Sequence, residues 1–321
     1  MATVLVTGGC GFIGTHLVGR LLRQGDRVVS IDSHYTSDPA NASLYGSNPN
    51  YEFINRDVRY PLSDLGGFDE IYNLACPASP IHYQRDPVMT INTNVMGAIH
   101  TLELARRSGA KVFQASTSEV YGDPKVHPQP ETYLGNVNSF GPRACYDEGK
   151  RCAETIFREY AAQYGVDIRI ARIFNTYGPF MHPNDGRVVS NFITQALSGK
   201  PISVYGNGEQ TRSFCYVTDL VDGILRFMRG PSTFQGPCNL GNPNEVTINQ
   251  LAEQIGLLTE TSVIRVHTAR PQDDPMKRRP DITLAQRILD WSPTTSLPDG
   301  LQETINYFSG MRSPNLAERA A

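Results

Sequence analysis

Short runs of β-branched and apolar residues alternate with longer stretches of helical period over the first half of the chain. The runs predict strands, and the longer stretches predict helices. The predicted strands are Thr3–Thr7, Arg27–Ile31, Tyr51–Asn55, Glu70–Ala75, Lys111–Ala115 and Asp167–Arg172. The predicted helices are Thr15–Gln24, with an apolar stripe at Leu17, Leu21 and Leu22, then Val88–Ser108 and Asp147–Tyr164. This order predicts an α/β fold with a doubly wound parallel sheet covered by helices on both faces.

The pattern changes after Asn175, where loops rich in Pro, Gly and Asn interleave with short helices. The predicted loops are Tyr177–Gly186, Tyr205–Gln210 and Gly230–Asn244, and the predicted helices are Val188–Ser198, Val217–Met228 and Ile248–Thr259. We expect residues 1–174 to form the main domain, to which the chain returns around residues 211–240. Residues 175–210 and 241–311 would form a smaller C-terminal lobe that binds the substrate. Residues 312–321 are predicted to be a loose tail.

Composition excludes several classes of protein. The 321 residues carry 32 acids and 29 bases, a net charge of −3, which argues against a nucleic-acid surface. There is no apolar run of about 20 residues that could cross a membrane, and no signal peptide. The six cysteines include no Cys-x-x-Cys pair, so neither a metal site nor a disulfide framework is indicated. We expect a soluble protein of a reducing compartment.

A glycine-rich turn directly follows the first predicted strand. In Thr7-Gly-Gly-Cys-Gly-Phe-Ile-Gly14, the glycines Gly8, Gly11 and Gly14 allow a tight turn and a close approach of backbone N–H groups to a pyrophosphate. Asp32 ends the second strand, where it can accept hydrogen bonds from ribose hydroxyls and repel a 2′-phosphate. Neither Ser33 nor His34 is an arginine. The pattern is typical of a Rossmann-type domain that binds NAD rather than NADP.

Further side chains are expected to contact the cofactor. Asp57 is a candidate partner for the adenine amino group. The remaining candidates lie in the glycine turn or near the ends of the other predicted strands, and they are Phe12, Ile13, Val58, Leu74 and Ala75.

Tyr146 and Lys150 lie four residues apart at the start of a predicted helix, so both project from one face. A tyrosine is a poor base at neutral pH because its pKa is about 10. A neighbouring ammonium group and the positive nicotinamide ring are expected to lower that pKa. The phenolate could then remove a hydroxyl proton while a hydride leaves the same carbon for NAD. Ser116-Thr-Ser-Glu119 ends the fifth strand, where a substrate would lie.

Longer strings make a family resemblance specific. They are Cys76–Pro80, Ala115–Pro124, Gly141–Arg151, Asn184–Phe192, Gln210–Asp219 and Gln272–Ile282. Over roughly residues 3–310 the chain resembles the UDP-glucuronate decarboxylases, or UDP-xylose synthases, of the extended short-chain dehydrogenase/reductase family. The resemblance implies NAD-dependent loss of CO2 from a nucleotide-diphospho-glucuronate, most readily UDP-glucuronate, to give the pentose. It also implies a homodimer, and a cytoplasmic location because membrane-anchored relatives carry an N-terminal extension.

The resemblance also implies roles for individual residues. Tyr146 would be base and then acid, and Lys150 would hold the nicotinamide ribose. Thr117 would bind the C4 oxygen, with Ser118 and Glu119 near C5 and C6. Arg278, from Lys-Arg-Arg-Pro-Asp, would bind the substrate carboxylate as a bidentate partner. The residues expected to hold the rest of the substrate are Pro77, Asn175, Arg187, Val188, Ser190, Tyr205, Gln210 and Arg212.

Two segments depart from the family pattern. Phe180 stands where the family usually has an arginine, which brings peripheral substrate contacts or a dimer contact into question. Ser33–Asn50 does not resemble the usual loop after the second strand.

The alternatives on the same scaffold are a 4-epimerase, a 4,6-dehydratase and a non-catalytic dinucleotide sensor. A dehydratase needs a carboxylic acid where this chain has Ser118, and a sensor would not need Tyr146 and Lys150. An epimerase needs neither Glu119 nor Arg278.

Overall fold

A parallel seven-stranded sheet forms the centre of the main domain. The structure is a computed structural model, and it describes residues 1–261, 264–269 and 275–311. The sheet order is β11-β6-β5-β4-β1-β2-β3. Its strands are β1 (Thr3–Thr7), β2 (Arg27–Asp32), β3 (Tyr51–Asn55), β4 (Glu70–Asn73), β5 (Lys111–Thr117), β6 (Ile168–Ile173) and β11 (Cys238–Leu240).

Helices cover both faces of this sheet because alternate residues of each strand point to opposite sides. Val4 and Val6 of β1 belong to a core that includes residues of α1 and α7, whereas Leu5 belongs to the core on the other face with residues of α4 and α5. The helices are α1 (Phe12–Arg23), α2 (Ala40–Ser43), α3 (Pro80–Tyr83), α4 (Pro87–Ser108), α5 (Ala144–Tyr164), α6 (Val188–Leu197), α7 (Val217–Arg229), α8 (Ile248–Leu258), α9 (Thr283–Leu289) and α10 (Leu297–Gly310).

The second lobe has a core of its own. Apolar residues of α6, α8 and α10 pack together there, with Ile193, Leu251 and Leu301 fully buried. Short strands complete the lobe in three small sheets, with orders β10-β7, β12-β9-β14 and β13-β8. They are β7 (Thr176–Tyr177), β8 (Ile202–Tyr205), β9 (Thr211–Ser213), β10 (Cys215–Tyr216), β12 (Glu245–Thr247), β13 (Arg265–Thr268) and β14 (Lys277–Arg278).

The predicted strands and helices of the main domain are confirmed, with ends that differ by a few residues. The prediction of an uninterrupted loop over Gly230–Asn244 is wrong, because Cys238–Leu240 pairs with β6 as the edge strand of the central sheet. Three residues are too few to show a period, so the strand gave no pattern to detect. The predicted tail at residues 312–321 and the residues Gln272, Asp273 and Asp274 lie outside the described residues.

The carboxyl ends of β1, β2, β4, β5 and β6 meet at one edge of the sheet because the strands are parallel. The loops that follow these strands therefore face the second lobe. None of the described helices is long and apolar enough to cross a lipid bilayer.

Candidate active site

A cavity of about 870 Å³ lies between this edge of the sheet and the second lobe. Apart from Ser190, every residue that the sequence singles out for the cofactor, the chemistry or the substrate lines this cavity. These lining residues are Gly8, Gly11, Phe12, Ile13, Gly14, Asp32, Asp57, Val58, Leu74, Ala75, Pro77, Thr117, Ser118, Glu119, Tyr146, Lys150, Asn175, Arg187, Val188, Tyr205, Gln210, Arg212 and Arg278.

The glycine turn leaves room for a phosphate group to approach the backbone. Gly8 has φ +69° and lies so close to the backbone of Ala75 that a side chain would not fit. A side chain at Gly14 would clash with the carbonyl of Gly8. Within the described part of the chain, no side chain caps the N-terminus of α1, so its first N–H groups face the cavity without a partner from a capping residue. These features fit the pyrophosphate of a dinucleotide.

Asp32 lies beside this turn, at the end of β2. One carboxylate oxygen accepts a hydrogen bond from the N–H of Cys10 at 3.1 Å, and the other accepts from the N–H of His34 and from Ser37 Oγ. These bonds fix the carboxylate toward the cavity, where it suits the ribose hydroxyls of NAD. Asp57 also lines the cavity, but its carboxylate is paired with Arg59 at 2.6 Å.

Tyr146 and Lys150 lie on one face of the first turns of α5, next to the end of β5. Lys150 Nζ donates to the carbonyl of Ala115 at 2.9 Å and lies 5.8 Å from the ring centre of Tyr146. The Thr117 hydroxyl near Tyr146 favours the ionised phenol and so opposes the effect of burial on its pKa. The three side chains therefore surround one point at the cavity wall, where a sugar hydroxyl can meet the phenol.

The protein alone does not lower the pKa of Tyr146, contrary to our expectation. Burial raises the pKa of Tyr146 far above its usual value, and the negative charge of Glu119 adds to this. Burial also lowers the pKa of Lys150, which weakens its influence as a cation. The sequence reveals the one-turn spacing of the two residues, but it does not reveal how deeply both are buried. The positive nicotinamide ring is then the remaining source of the shift that we predicted.

Glu119 is held between two arginines. It lies in a 3₁₀ turn, Ser118–Tyr121, that Thr117 caps by accepting the N–H of Glu119 at 3.2 Å. Arg143 contacts one carboxylate oxygen at 2.7 Å, and Arg278 contacts the other. Burial opposes ionisation, but the two guanidinium groups outweigh it and lower the pKa of Glu119 to about 2. The carboxylate is therefore charged at neutral pH.

Arg278 is 3% exposed, and not every nitrogen of its guanidinium has a partner among the described residues. One terminal nitrogen contacts Glu119, and the other donates to the carbonyl of Gly122 at 3.1 Å. Its Nε is buried without a partner among the described residues. A guanidinium at the cavity wall suits an anionic ligand, because its terminal N–H groups can form charge-assisted hydrogen bonds.

The sequence analysis missed Tyr83 and Arg143, which line the cavity, and the buried Asp147, which directly follows Tyr146. Tyr83 lines the cavity with its ring stacked on that of Tyr146, 5.0 Å apart, and its buried hydroxyl has no partner in the described part of the chain. Asp147 is 6% exposed, and its Oδ1 is likewise unpartnered within the described residues. Burial and the charge of Glu119 raise the pKa of Asp147 to about 8. Asp147 directly follows Tyr146, but nothing in the local sequence distinguishes it from a surface acid.

The second lobe lines the other end of the cavity. Arg212 is buried and donates to the carbonyl of Thr211 at 2.8 Å, and Gln210 donates to the carbonyl of Tyr205 at 2.7 Å. Arg187 precedes α6. Ser190 does not line the cavity, because its hydroxyl turns inward to Asp185 at 2.6 Å.

Phe180 packs where the family usually has an arginine. Its ring lies 5.3 Å from that of His16 on α1 and 5.1 Å from that of Tyr307 on α10. The residue has φ +66°, a strained backbone conformation for an aromatic residue, so its neighbours must hold it there. Phe180 therefore joins the first helix of the main domain to the second lobe, at the wall of the cavity.

Comparison with known proteins agrees with this geometry. The model of the NAD dependent epimerase/dehydratase family matches residues 4–241. The chain belongs to this family. It is 52% identical to UDP-glucuronic acid decarboxylase 2 of Arabidopsis thaliana, over 95% of this chain and 68% of that protein. It is 50% identical to UDP-glucuronic acid decarboxylase 1 of Xenopus tropicalis, over 95% of this chain and 72% of that protein. Within the epimerase/dehydratase family, the chain is thus a member of the UDP-glucuronic acid decarboxylase group.

Solved structures of epimerase/dehydratase proteins share the fold. UDP-glucose 4-epimerase of Thermotoga maritima, solved with UDP-glucose, is 29% identical with a TM-score of 0.89, over 97% of this chain and all of that one. A mutant UDP-glucuronic acid 4-epimerase of Bacillus cereus, in complex with UDP-4-deoxy-4-fluoro-glucuronic acid and NAD, is 28% identical with a TM-score of 0.88, over 96% and 99% of the two chains. NAD is the cofactor of this family.

The raised pKa of Asp147 predicts a pH-dependent cost to stability. In the unfolded chain the carboxyl ionises near pH 4, whereas in the folded protein it keeps its proton up to about pH 8. Folding is therefore increasingly disfavoured by this group as the pH rises between these values. We expect Asp147→Asn to raise the melting temperature more at pH 8 than at pH 5. The same comparison for Glu148→Gln, the neighbouring acid, should show no such difference. An equal effect of Asp147→Asn at both pH values would contradict the prediction.

The position of Phe180 predicts a role in holding the cofactor. We expect Phe180→Ala to weaken NAD binding about tenfold, because two aromatic contacts are lost at the wall beside the phosphate cradle. Isothermal titration with NAD measures this directly. Phe140→Ala is the matched control, since that side chain is fully exposed. Equal NAD affinity in wild type and Phe180→Ala would contradict the prediction.

Proposed function

We propose that the protein decarboxylates UDP-glucuronate to UDP-xylose. The observation that carries this proposal is the buried Arg278, paired with Glu119 beside Tyr146 in a cavity that also holds the dinucleotide cradle. The names of the relatives that are half identical over most of the chain support the same activity.

The reaction depends on a ketone formed next to an acid. Oxidation at C4 of the sugar places a carbonyl β to the C6 carboxylate, and a β-keto acid loses CO2 readily because the electrons left behind form an enolate. Protonation at C5 then gives a 4-keto-pentose, and reduction at C4 gives the pentose. NAD, held by the glycine turn and Asp32, would supply both the oxidant and the reductant for C4, so no external reductant would be consumed.

Tyr146 and its neighbours carry the proton at C4. The phenolate oxygen of Tyr146 takes the proton of the C4 hydroxyl and gives it back when C4 is reduced. Thr117, which lines the cavity with Tyr146, holds the C4 oxygen. Lys150, fixed by the carbonyl of Ala115, supports the nicotinamide ribose and the ionised tyrosine.

Arg278 and Glu119 act at the acid end of the sugar. The guanidinium of Arg278 binds the C6 carboxylate, and Glu119 keeps that arginine in place and orders a water near C5 as the source of the proton. Ser118 lies in the same turn, where it would face C5 and C6 of the sugar. The unpartnered hydroxyl of Tyr83 adds a donor at the same wall.

The second lobe holds the nucleotide diphosphate. Arg212 and Arg187 supply positive charge for the two phosphates, and the start of α6 at Val188 adds its dipole. Asn175 binds a phosphate or sugar hydroxyl, while Tyr205 and Gln210 flank the base and ribose. Pro77 lies at the sugar end of the cavity. Ser190 supports this end from behind through Asp185.

A 4-epimerase is the second candidate. One solved relative is named a UDP-glucuronic acid 4-epimerase and holds a fluorinated analogue of UDP-glucuronic acid. A similar fold therefore binds a glucuronate in a protein that is named as an epimerase. A 4,6-dehydratase is disfavoured because Ser118 supplies no carboxylic acid beside Thr117.

We also propose a homodimer in the cytoplasm. Exposed apolar side chains on α4, at Val88, Ile91 and Met96, provide a surface for a partner. The predicted stripe on α5 serves mostly the core of the monomer: Ala153 and Phe157 are fully buried, and Ile156, Tyr160 and Ala161 pack against them, which leaves Tyr164 half-exposed. All six cysteines are described and are free thiols, as suits a reducing compartment.

The activity test uses the purified protein with UDP-glucuronate and no added reductant. We expect release of CO2 and formation of UDP-xylose, identified by NMR. Tyr146→Phe should lower kcat at least about a hundredfold because the proton acceptor is lost. Tyr60→Phe, which changes an exposed tyrosine, should retain wild-type kcat. Intact substrate accompanied by its C4 epimer would reject the decarboxylase and support the epimerase.

The dimer is tested by light scattering during gel filtration. We expect a mass twice the 35.5 kDa of one chain. Ile91→Glu should yield monomers because it places a charge in an apolar interface. Leu257→Glu, at an exposed position on α8, should leave the dimer intact. A monomeric wild type would contradict this part of the proposal.

A further inference from the structure

A buried network of hydrogen bonds lies behind the Glu119–Arg278 pair. It connects the turn that carries Glu119 to the segment that follows Arg278, although these are distant along the chain. Its central residue is Asn239 of the edge strand β11, which is fully buried and lies outside the cavity. None of its members has a role in the chemistry described above.

Both the oxygen and the nitrogen of the Asn239 side-chain amide are hydrogen-bonded. Its Oδ1 accepts the hydroxyl of Tyr121 at 2.7 Å, and its Nδ2 donates to the carbonyls of Gln129 at 2.9 Å and Asp281 at 3.0 Å. Only this orientation of the amide matches one donor and two acceptors. The side chain therefore fixes three backbone segments relative to one another.

Tyr121 ties this centre to Glu119. It ends the 3₁₀ turn that carries Glu119, and its ring is 1% exposed. Burial raises the pKa of Tyr121 to about 12, so the hydroxyl keeps the proton that it donates to Asn239. The same hydroxyl accepts from Arg172 at 3.1 Å, and Arg172 is paired with Glu154 at 2.8 Å.

Gln129 ties the same centre to Arg278. Its backbone N–H donates to the carbonyl of Arg279, and its Oε1 accepts the N–H of Arg279, both at 2.9 Å. Its carbonyl accepts the N–H of Asp281 at 3.0 Å. Gln129 is fully buried, so these bonds hold the backbone immediately after Arg278 on both sides of Pro280.

We propose that Tyr121 and Asn239 are positioning residues that set Arg278 against Glu119 and thereby control the decarboxylation and C5-protonation half of the reaction. The inference rests on the proposed function. Removal of the Tyr121 hydroxyl leaves Asn239 Oδ1 as a buried acceptor without its donor, which is costly. The amide can then turn away from Gln129 and Asp281, and the segment after Arg278 loses its fixed position. We expect C4 oxidation to persist, because the side chains of Tyr121 and Asn239 are hydrogen-bonded to Gln129, Asp281 and Arg172 and not to those of Tyr146, Lys150 or Thr117.

The test compares Tyr121→Phe with Tyr133→Phe in the full-length protein. Tyr133 stacks on Tyr121 at 6.0 Å, but its hydroxyl accepts the N–H of Lys125 and lies outside the network. We expect Tyr121→Phe to lower kcat for CO2 release about tenfold, the loss of one buried hydrogen bond at the reacting pair. The affinity for NAD should change less than twofold, because the network does not reach the glycine turn, and Tyr133→Phe should resemble wild type.

The products distinguish positioning from a general loss of structure. With C4 oxidation intact but CO2 loss slowed, the variant should accumulate UDP-4-keto-glucuronate, with the hydride from C4 remaining on the cofactor. Asn239→Asp keeps the acceptor for Tyr121 but loses both donated bonds, so it should give the same product mixture.

Each of the other outcomes would refute the inference alone or together with the proposed function. A Tyr121→Phe enzyme with a lower melting temperature but wild-type kcat and products would overturn the inference, since the network would then be structural only. Equal loss in Tyr121→Phe and Tyr133→Phe would also overturn it. A wild type that decarboxylates alongside an unchanged Tyr121→Phe refutes the inference alone. A wild type that releases no CO2 refutes the proposed function and the inference with it.

Discussion

A largely buried carboxylate held between two guanidinium groups constrains the active site. An ionised acid can lie in the interior only when it is paired, and Glu119 is paired on both sides, with Arg143 from the start of α5 and Arg278 from the second lobe. The pair with Arg278 spans the cleft between the two parts of the chain. This ion pair thus connects the cofactor side and the substrate side at the point where the acid group of a substrate would enter. The same ion pair gives Arg278 a fixed position.

The parallel sheet brings the residues of the active site together at one edge. Because β1, β2, β4, β5 and β6 end at the same edge, the glycine turn, Asp32 and Thr117 converge without any long loop. The second lobe contributes the opposite wall, and its contacts with the main domain include the aromatic rings around Phe180. The chemistry therefore depends on two parts of the chain that meet through a few polar and aromatic contacts.

Much of the main domain could be predicted from the sequence, because strands and helices there are long enough to show their periods and the glycine turn has a specific context. Tyr146 and Lys150 could be placed together because they lie one helical turn apart, whereas the roles of Glu119 and Arg278 follow from the family resemblance and stay predictions. Burial was not predictable: the high pKa of Asp147 and that of Tyr146 follow from neighbours contributed by distant segments. For the same reason Tyr83 and the edge strand Cys238–Leu240 escaped detection, as neither leaves a local pattern.

The central claim is that a transient ketone at C4 makes the neighbouring acid group labile. The most direct measurement uses UDP-glucuronate labelled with deuterium at C4 and with carbon-13 at C6. The predicted result is UDP-xylose that retains the deuterium at C4, carries one solvent hydrogen at C5, and has lost the labelled carbon as CO2. Loss of the deuterium to solvent, or a product that keeps the labelled carbon, would contradict the claim.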